Sequence, residues 1–458
     1  MQLLPGTKSR QCRVVSTKRP SLDPTSLLLV LAVLSFIYIS PSTLILGGWR
    51  YAGGGTEFEK VHPGTYILIL AFPVCFLLDQ QFSRKIVSQV KGDWGVLAFF
   101  VASLATSAYA VLDKHCSATP FLETFGATIL VLLAFVGISD GGITLFRRGV
   151  DLFMIVNIPI IVAEYFAHRN FIPVYEYVVG SNAAQYYSEL GRPAALFGHP
   201  LLAAGFLCIY SLAILLEQFA TPRFNVWRLL LAMISFLAAA LTGGRTAMST
   251  TIIILLMLPA FSIGKMIFLG STKSAEVRSL SIMAFAALLT VPIAAQLGLF
   301  DLLLGRVQND NGSSLARYYA IRILMDAPIA QIWTGAGADS LLVQQQTYGL
   351  IAIEISWINF ILVCGLVFTI PLFLAYLAFL FYSLPRYSRS AYAISIYFLI
   401  LHASSIGLWA KSTSFAASIA IALAYLGRPA AQSQALRTPR AQPRAQMMKA
   451  RGYLHITR

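Results

Sequence analysis

The sequence predicts an all-α protein: a polytopic transmembrane helical bundle of about 12 spans, with a long outward loop before span 10. Three observations carry this. Of 458 residues, 57% are hydrophobic and only 12% are charged, where a soluble domain carries about 25% charged residues. Apolar runs of roughly 20 residues, the length of helix that crosses a bilayer, recur along the whole chain. The runs lack the apolar–polar alternation of barrel strands, and a helix is the other structure that satisfies its own backbone in lipid.

The twelve runs lie near 25–47, 65–79, 94–112, 121–138, 149–166, 197–217, 226–242, 247–263, 280–300, 351–380, 391–408 and 412–427. The first is too long, and follows too long a basic leader, for a cleaved signal peptide. Basic residues stay on the cytoplasmic side of a membrane. With the N-terminus inside, 24 of the 34 Lys and Arg residues fall on inner segments. Both termini are then inside, which requires an even number of spans. The chain divides into a cytoplasmic tail over 1–24, a membrane domain over 25–427 with outward loops at 167–196 and 301–350, and a basic tail over 428–458. That tail is rich in Ala, Gln, Pro and Arg, with little to bury, and reads as disordered.

The formal net charge of +15 follows from this topology and favours anionic lipid headgroups. It calls for a lipid bilayer and for no nucleic acid. Of the five cysteines, Cys75, Cys208 and Cys364 fall in apolar runs, Cys12 is inside and Cys116 alone faces outward, so no disulfide framework is expected. Neither metal-ligand spacing nor a Gly-rich nucleotide loop is present, so neither a metal nor a nucleotide cofactor is expected.

The outward face is poor in positive charge, yet what it has is mostly arginine. Seven of its ten basic residues are Arg50, Arg169, Arg192, Arg245, Arg306, Arg317 and Arg322. Arg245 lies in LAAALTGGRTAMSTTIIILL and is the only charge between Leu229 and Gly264. The loop at 167–196 is Tyr-rich, with Tyr175, Tyr177, Tyr186 and Tyr187 placed to stack on sugar rings or to form an interfacial belt. In the later loop, SSLARYYAIRILMDA has apolar periodicity and a possible Ser cap, and reads as a surface helix. Arginine presents a planar fork of donors that matches phosphate oxygens two at a time. Each such bond contributes about 1.5–3 kcal/mol, so three or four would hold a diphosphate. An outer arginine can also simply snorkel to headgroups, the reading that suits Arg50 and Arg169, and Arg322 can pair with Asp326 one turn on.

With those residues in view, the chain resembles the O-antigen ligase and polysaccharide polymerase superfamily of bacterial inner-membrane proteins. The likeness covers Gly191 to Leu366 in motif and the whole chain in layout. GRPAALFGHPLLAAGFL resembles the family's arginine followed by Gly-x-Pro before span six, which implies a substrate-binding role for Arg192 and places His199 beside it. LTGGRTA resembles the turn between spans seven and eight, with Arg245 at the family arginine. SSLARYYAIRILMDAPIAQIWTGAGADSL resembles the periplasmic arginine helix and the glycine turn after it, with Arg317 at the helix arginine, Arg322 nearby, and Gly335 and Gly337 in the turn. IEISWINFILVCGLVF resembles the start of the next span. In ligases a His-Asn pair begins eleven residues before the glycine matching Gly365; here Glu354 and Ile355 stand there, which points away from transfer to lipid A core.

The resemblance implies a donor glycan on undecaprenyl diphosphate, presented on the periplasmic face, with a flippase and a chain-length regulator as accompanying proteins. The expected function is a polysaccharide polymerase of exopolysaccharide or O-antigen type, metal-independent and without a cofactor. The diphosphate leaves as an anion and needs positive charge where charge develops, which suits Arg245 with Arg192, Arg317 and Arg322. The attacking hydroxyl needs a base, and Glu354 is the candidate. One base without a nucleophile implies inversion at the anomeric carbon. Glu176, Glu189, Asp310 and Asp339 are the outward carboxylates that would change this. Glu354 has a second reading, as a helix-start acid favoured by the dipole, and His199 reads as structural or substrate-lining rather than catalytic. Lys411 and His402 lie near the last outer turn. The rival functions are the ligase itself and, in another class, a 12-span transporter or a flippase of lipid-linked sugars. A transporter predicts two similar halves, which the sequence lacks, and charges within spans, where Glu123 and Glu164 are the main examples.

Overall fold

A computed structural model describes residues 22–51, 56, 58–174, 191–221, 225–269, 274–296, 298–299, 301, 313–350, 353–388, 390–405 and 407–427. Residues 1–21 of the first tail, the whole of the second, the tyrosines at 175, 177, 186 and 187, Glu176, Glu189, Arg306 and Asp310 lie outside them. The described residues are helical, with no strand among them.

In chain order the helices are α1 (Pro24–Tyr38), α2 (Pro41–Leu46), α3 (Pro63–Leu78), α4 (Gln80–Gly92), α5 (Trp94–Leu112), α6 (Thr119–Gly137), α7 (Asp140–Ala167) and α8 (Pro200–Ala220). They continue with α9 (Val226–Thr242), α10 (Arg245–Leu269), α11 (Ser274–Gln296), α12 (Ser313–Asp326), α13 (Ile329–Thr334), α14 (Ala338–Thr347), α15 (Ser356–Ala378), α16 (Ala391–Ala403) and α17 (Ser414–Leu426). Six helical stretches are long and apolar enough to cross a membrane, and a seventh if α3 and α4 are one broken span. Each of the twelve apolar runs contains a helix, but α1, α9, α16 and α17 are shorter than those six, as is the apolar part of α11.

Local chemistry explains the breaks. Pro24, Pro41, Pro63 and Pro200 open their helices, where a missing N–H costs nothing. Asp23 and Ser40 cap the first two by accepting from Ser26 and Thr43 backbone N–H groups. Asp79 ends α3 and caps α4, and the chain turns through 118° there. The single run read at 65–79 is therefore followed by an amphipathic helix that buries Phe82 against Gly137.

α8 is the central helix. It packs against α9, α10, α11, α16 and α17, and from Ala203 to Gln218 nearly every residue is buried. The 13 residues of α16 and of α17 span only about 20 Å each, against roughly 30 Å of hydrocarbon. Their connection is held from within: Thr124 donates to the carbonyls of Ala410 and Ser412, and Ser356 donates to that of Ser405.

α15 departs most from its sequence reading. Gly365 has φ 75° and ψ 168°, so the helix breaks there. In a straight helix Trp357 and Phe373 would stand about 24 Å apart; their ring centroids are 4.8 Å apart, and Trp357 also lies 5.5 Å from Tyr376. The half before Gly365 is folded back on the half after it. The carbonyls of Leu362 and Val363, at the break, accept from the Ala336 and Gly337 N–H groups, so the glycine turn between α13 and α14 seals it.

Candidate functional site

Two groups of side chains predicted from the sequence come together, on neighbouring elements. The first forms at the start of α8. Its keystone is Glu164, in the last turn of α7 and 1% exposed. One carboxylate oxygen accepts from the backbone N–H groups of Phe171 (2.9 Å) and Ile172 (3.4 Å), the other from Ala194 (2.8 Å) and Ala195 (2.9 Å). Ala195 is held at φ 45°, a left-handed conformation costing about 1–2 kcal/mol without glycine. Asn157 accepts from Leu196, and Asn170 donates to the Arg192 carbonyl. The segment bearing Arg192 is thereby fixed to α7.

His199 is the N-cap of α8, its Nδ1 accepting from the Leu201 N–H at 3.2 Å. His199 is thus a cap, and Arg192 lies within electrostatic reach of it. The turn carrying Arg245 packs on the same end of α8. Gly243 closes α9 at φ 79°, and a Cβ on Gly244 would fall on the Ala204 methyl. The glycines beside Arg245 therefore serve helix closure and helix contact, and Arg245 opens α10, partly exposed.

The second group pairs Arg317 with Glu354. Arg317 lies on α12, the helix expected over SSLARYYAIRILMDA, and its Nε is 3.4 Å from Glu354 Oε2; the side chains are 39% and 38% exposed. Glu354 is not a first-turn acid. The N-cap of α15 is Ile355, so Glu354 precedes the helix. Three residues after Glu354 in the chain, Trp357 is folded back against Phe373 and Tyr376. The carboxylate stands at the foot of the hairpin rather than at the outer end of a straight span. α16 links the two groups: it runs against α10, and Ser405, just beyond its end, holds Ser356.

Arg322 makes the local pair with Asp326 (3.2 Å), whose carboxylate also accepts from Tyr348. Those two bonds hold Asp326 below the usual carboxylate range. Lys411 is folded over the Tyr51 ring at 3.7 Å and donates to the Tyr51 carbonyl. The Tyr51 hydroxyl and the His62 N–H both donate to buried Glu123, in a π-helical turn. His402 is bonded to Tyr376 at 2.7 Å. Lys411 and His402 are therefore engaged inside the bundle. Among the described residues, no three His, Cys, Asp or Glu side chains gather as metal ligands.

A search of protein-family models and of curated proteins finds no match to this chain.

The residue that sequence reasoning missed is Asn359, fully buried in α15. Its amide nitrogen donates to the carbonyls of Ile353 (2.8 Å) and Ile355 (3.3 Å), on either side of Glu354. Two carbonyl partners fix the amide orientation, and Oδ1 has no hydrogen-bond partner among the described residues. An amide in the otherwise apolar stretch INFILVCG was the available signal.

Proposed function

We propose that this chain is a membrane glycosyltransferase of polysaccharide-polymerase type. It moves a glycan from undecaprenyl diphosphate to an acceptor sugar hydroxyl on the periplasmic face of a bacterial inner membrane. In this reading the twelve helical segments are twelve spans, both termini are cytoplasmic, and the segments at 167–196 and 301–350 are periplasmic. The observation that carries the reading is the Arg317–Glu354 pair, an arginine from the loop helix meeting the carboxylate at the foot of α15. The Arg192–His199 corner and the Arg245 turn at the head of α8 support it.

The chemistry follows from these groups. The incoming diphosphate takes the Arg317 guanidinium by bidentate bonds and frees the carboxylate. Glu354 accepts the proton of the acceptor hydroxyl. The hydroxyl oxygen bonds to the anomeric carbon from the face opposite the leaving group. The C–O bond to the diphosphate breaks, and the electron pair leaves with the phosphate, stabilised by Arg317, Arg192 and Arg245. The product linkage is inverted, and Glu354 returns its proton to solvent.

The test is to substitute Arg245→Ala, Arg317→Ala and Glu354→Gln in the native host and to size the surface polysaccharide. Loss of one preorganised donor lowers the rate ~10²–10³-fold, so single repeat units accumulate. Long chains stranded on the lipid carrier indicate the ligase reaction instead, and normal polymer in all three variants overturns the assignment.

A further inference from the structure

Beside the α15 hairpin lies a cavity of about 170 Å³. Its floor is apolar, formed by Phe121 and Phe360, both buried, and Trp409 stands as its wall. The Trp409 ring is nearly perpendicular to both phenyl rings, with centroids 5.0 Å from Phe360 and 6.1 Å from Phe121. His115 and Ser117 are exposed at its mouth and Cys116 is partly covered. The first residue of α14, Ala338, completes the rim, its backbone hydrogen-bonded to the Cys116 side chain. An engineered apolar cavity of about 150 Å³ admits a benzene-sized ring. This space is slightly larger, and its mouth is polar: His115 stands exposed there, beside the Ser117 hydroxyl, which is bonded to Thr119.

The cavity is mechanically joined to the candidate base. Phe360 follows Asn359, whose amide grips the carbonyls on both sides of Glu354. Leu408, another wall residue, donates its N–H to Ser356 Oγ. A ring seated here is therefore held in fixed relation to Glu354.

We infer that this cavity is the subsite for a pyranose ring of the acceptor glycan, with an apolar ring face against Trp409 and hydroxyls toward His115, Ser117 and the start of α14. The assignment of that ring to an acceptor rests on the function proposed above; the cavity's affinity for a sugar does not. Pockets of this kind combine apolar walls with a few orienting polar groups.

Cys116 provides the readout. Cys75, Cys208 and Cys364 are buried, so a membrane-impermeant maleimide added to the full-length protein in lipid nanodiscs is expected to report Cys116 in a Cys12→Ser background, with Cys116→Ser as the blank. The probes are the methyl glycosides of glucose, galactose, mannose, rhamnose and N-acetylglucosamine. At least one slows labelling in a saturable way, and Trp409→Ala weakens that protection roughly tenfold, the scale of a lost aromatic contact. Trp409→Phe retains part of it. Absence of protection by every glycoside, equal protection in Trp409→Ala, or protection by a short prenyl alcohol instead overturns the inference. The outcomes separate from those above. Normal polymer in Arg317→Ala and Glu354→Gln removes the enzyme reading and leaves glycoside protection standing. Blocked polymer in those variants, with unchanged acceptor KM in Trp409→Ala, removes the subsite alone.

Discussion

Glu164 and His199 show how single residues set the corner that carries Arg192. Glu164 reads in the sequence as a charge within an apolar run. Its partners lie 7 to 31 residues ahead in the chain, so periodicity cannot reveal them. A carboxylate with four N–H donors is fully used, whereas a glutamine presents an amide to two of those donors. Glu164→Gln is expected to cost about 2–4 kcal/mol and to hasten protease cleavage near residues 191–198 of the purified protein; unchanged Tm and cleavage would count against the anchor.

At the scale of elements, the glycines at 335 and 365 are where sequence and fold part most. α12 was legible because its apolar spacing and start are local features. The break in α15 was not, since SWINFILVCGLVF reads as one continuous apolar run and its meaning depends on a turn thirty residues earlier. A Cβ on Gly365 would strike the Trp333 carbonyl and the Gly335 nitrogen, at a backbone φ that other residues rarely adopt. Gly365→Ala should therefore open the hairpin, release Glu354 from Arg317 and abolish polymer formation. Gly205→Ala, with nothing within 4 Å of the added methyl, serves as the control and should leave both yield and polymer length unchanged. Equal behaviour of the two variants would remove the hairpin from the account of the site. The short helices α13 and α14 escaped notice for another reason: at 6 and 10 residues they are too brief to show a period.

Across the whole molecule, the two ends of α8 are built differently. At the His199 end, Arg192 and Arg245 stand partly exposed. At the far end Glu217 takes Arg147 at 2.7 Å and Arg228 at 2.6 Å, and both guanidinium groups lie over Tyr425. Arg147 Nε also donates to the Ala424 carbonyl, and the Tyr210 and Tyr425 hydroxyls share Asp151. This knot ties α7, α8, α9 and α17 together and closes the bundle at the end read from its basic residues as cytoplasmic. A carrier would have to open such a knot in every cycle, whereas an enzyme served from the other side never needs to. Glu217→Gln leaves two arginines facing each other without their carboxylate, a change that costs about 3–5 kcal/mol in a buried pair. For a polymerase the expected result is a lower Tm with activity per folded molecule nearly unchanged, because the knot stands a full helix length from the His199 end of α8. For a carrier the same substitution would change the rate of movement of lipid-linked sugar across proteoliposomes at equal folded protein. Measuring both quantities on one preparation therefore decides whether this end of the molecule is a fixed seal or a gate.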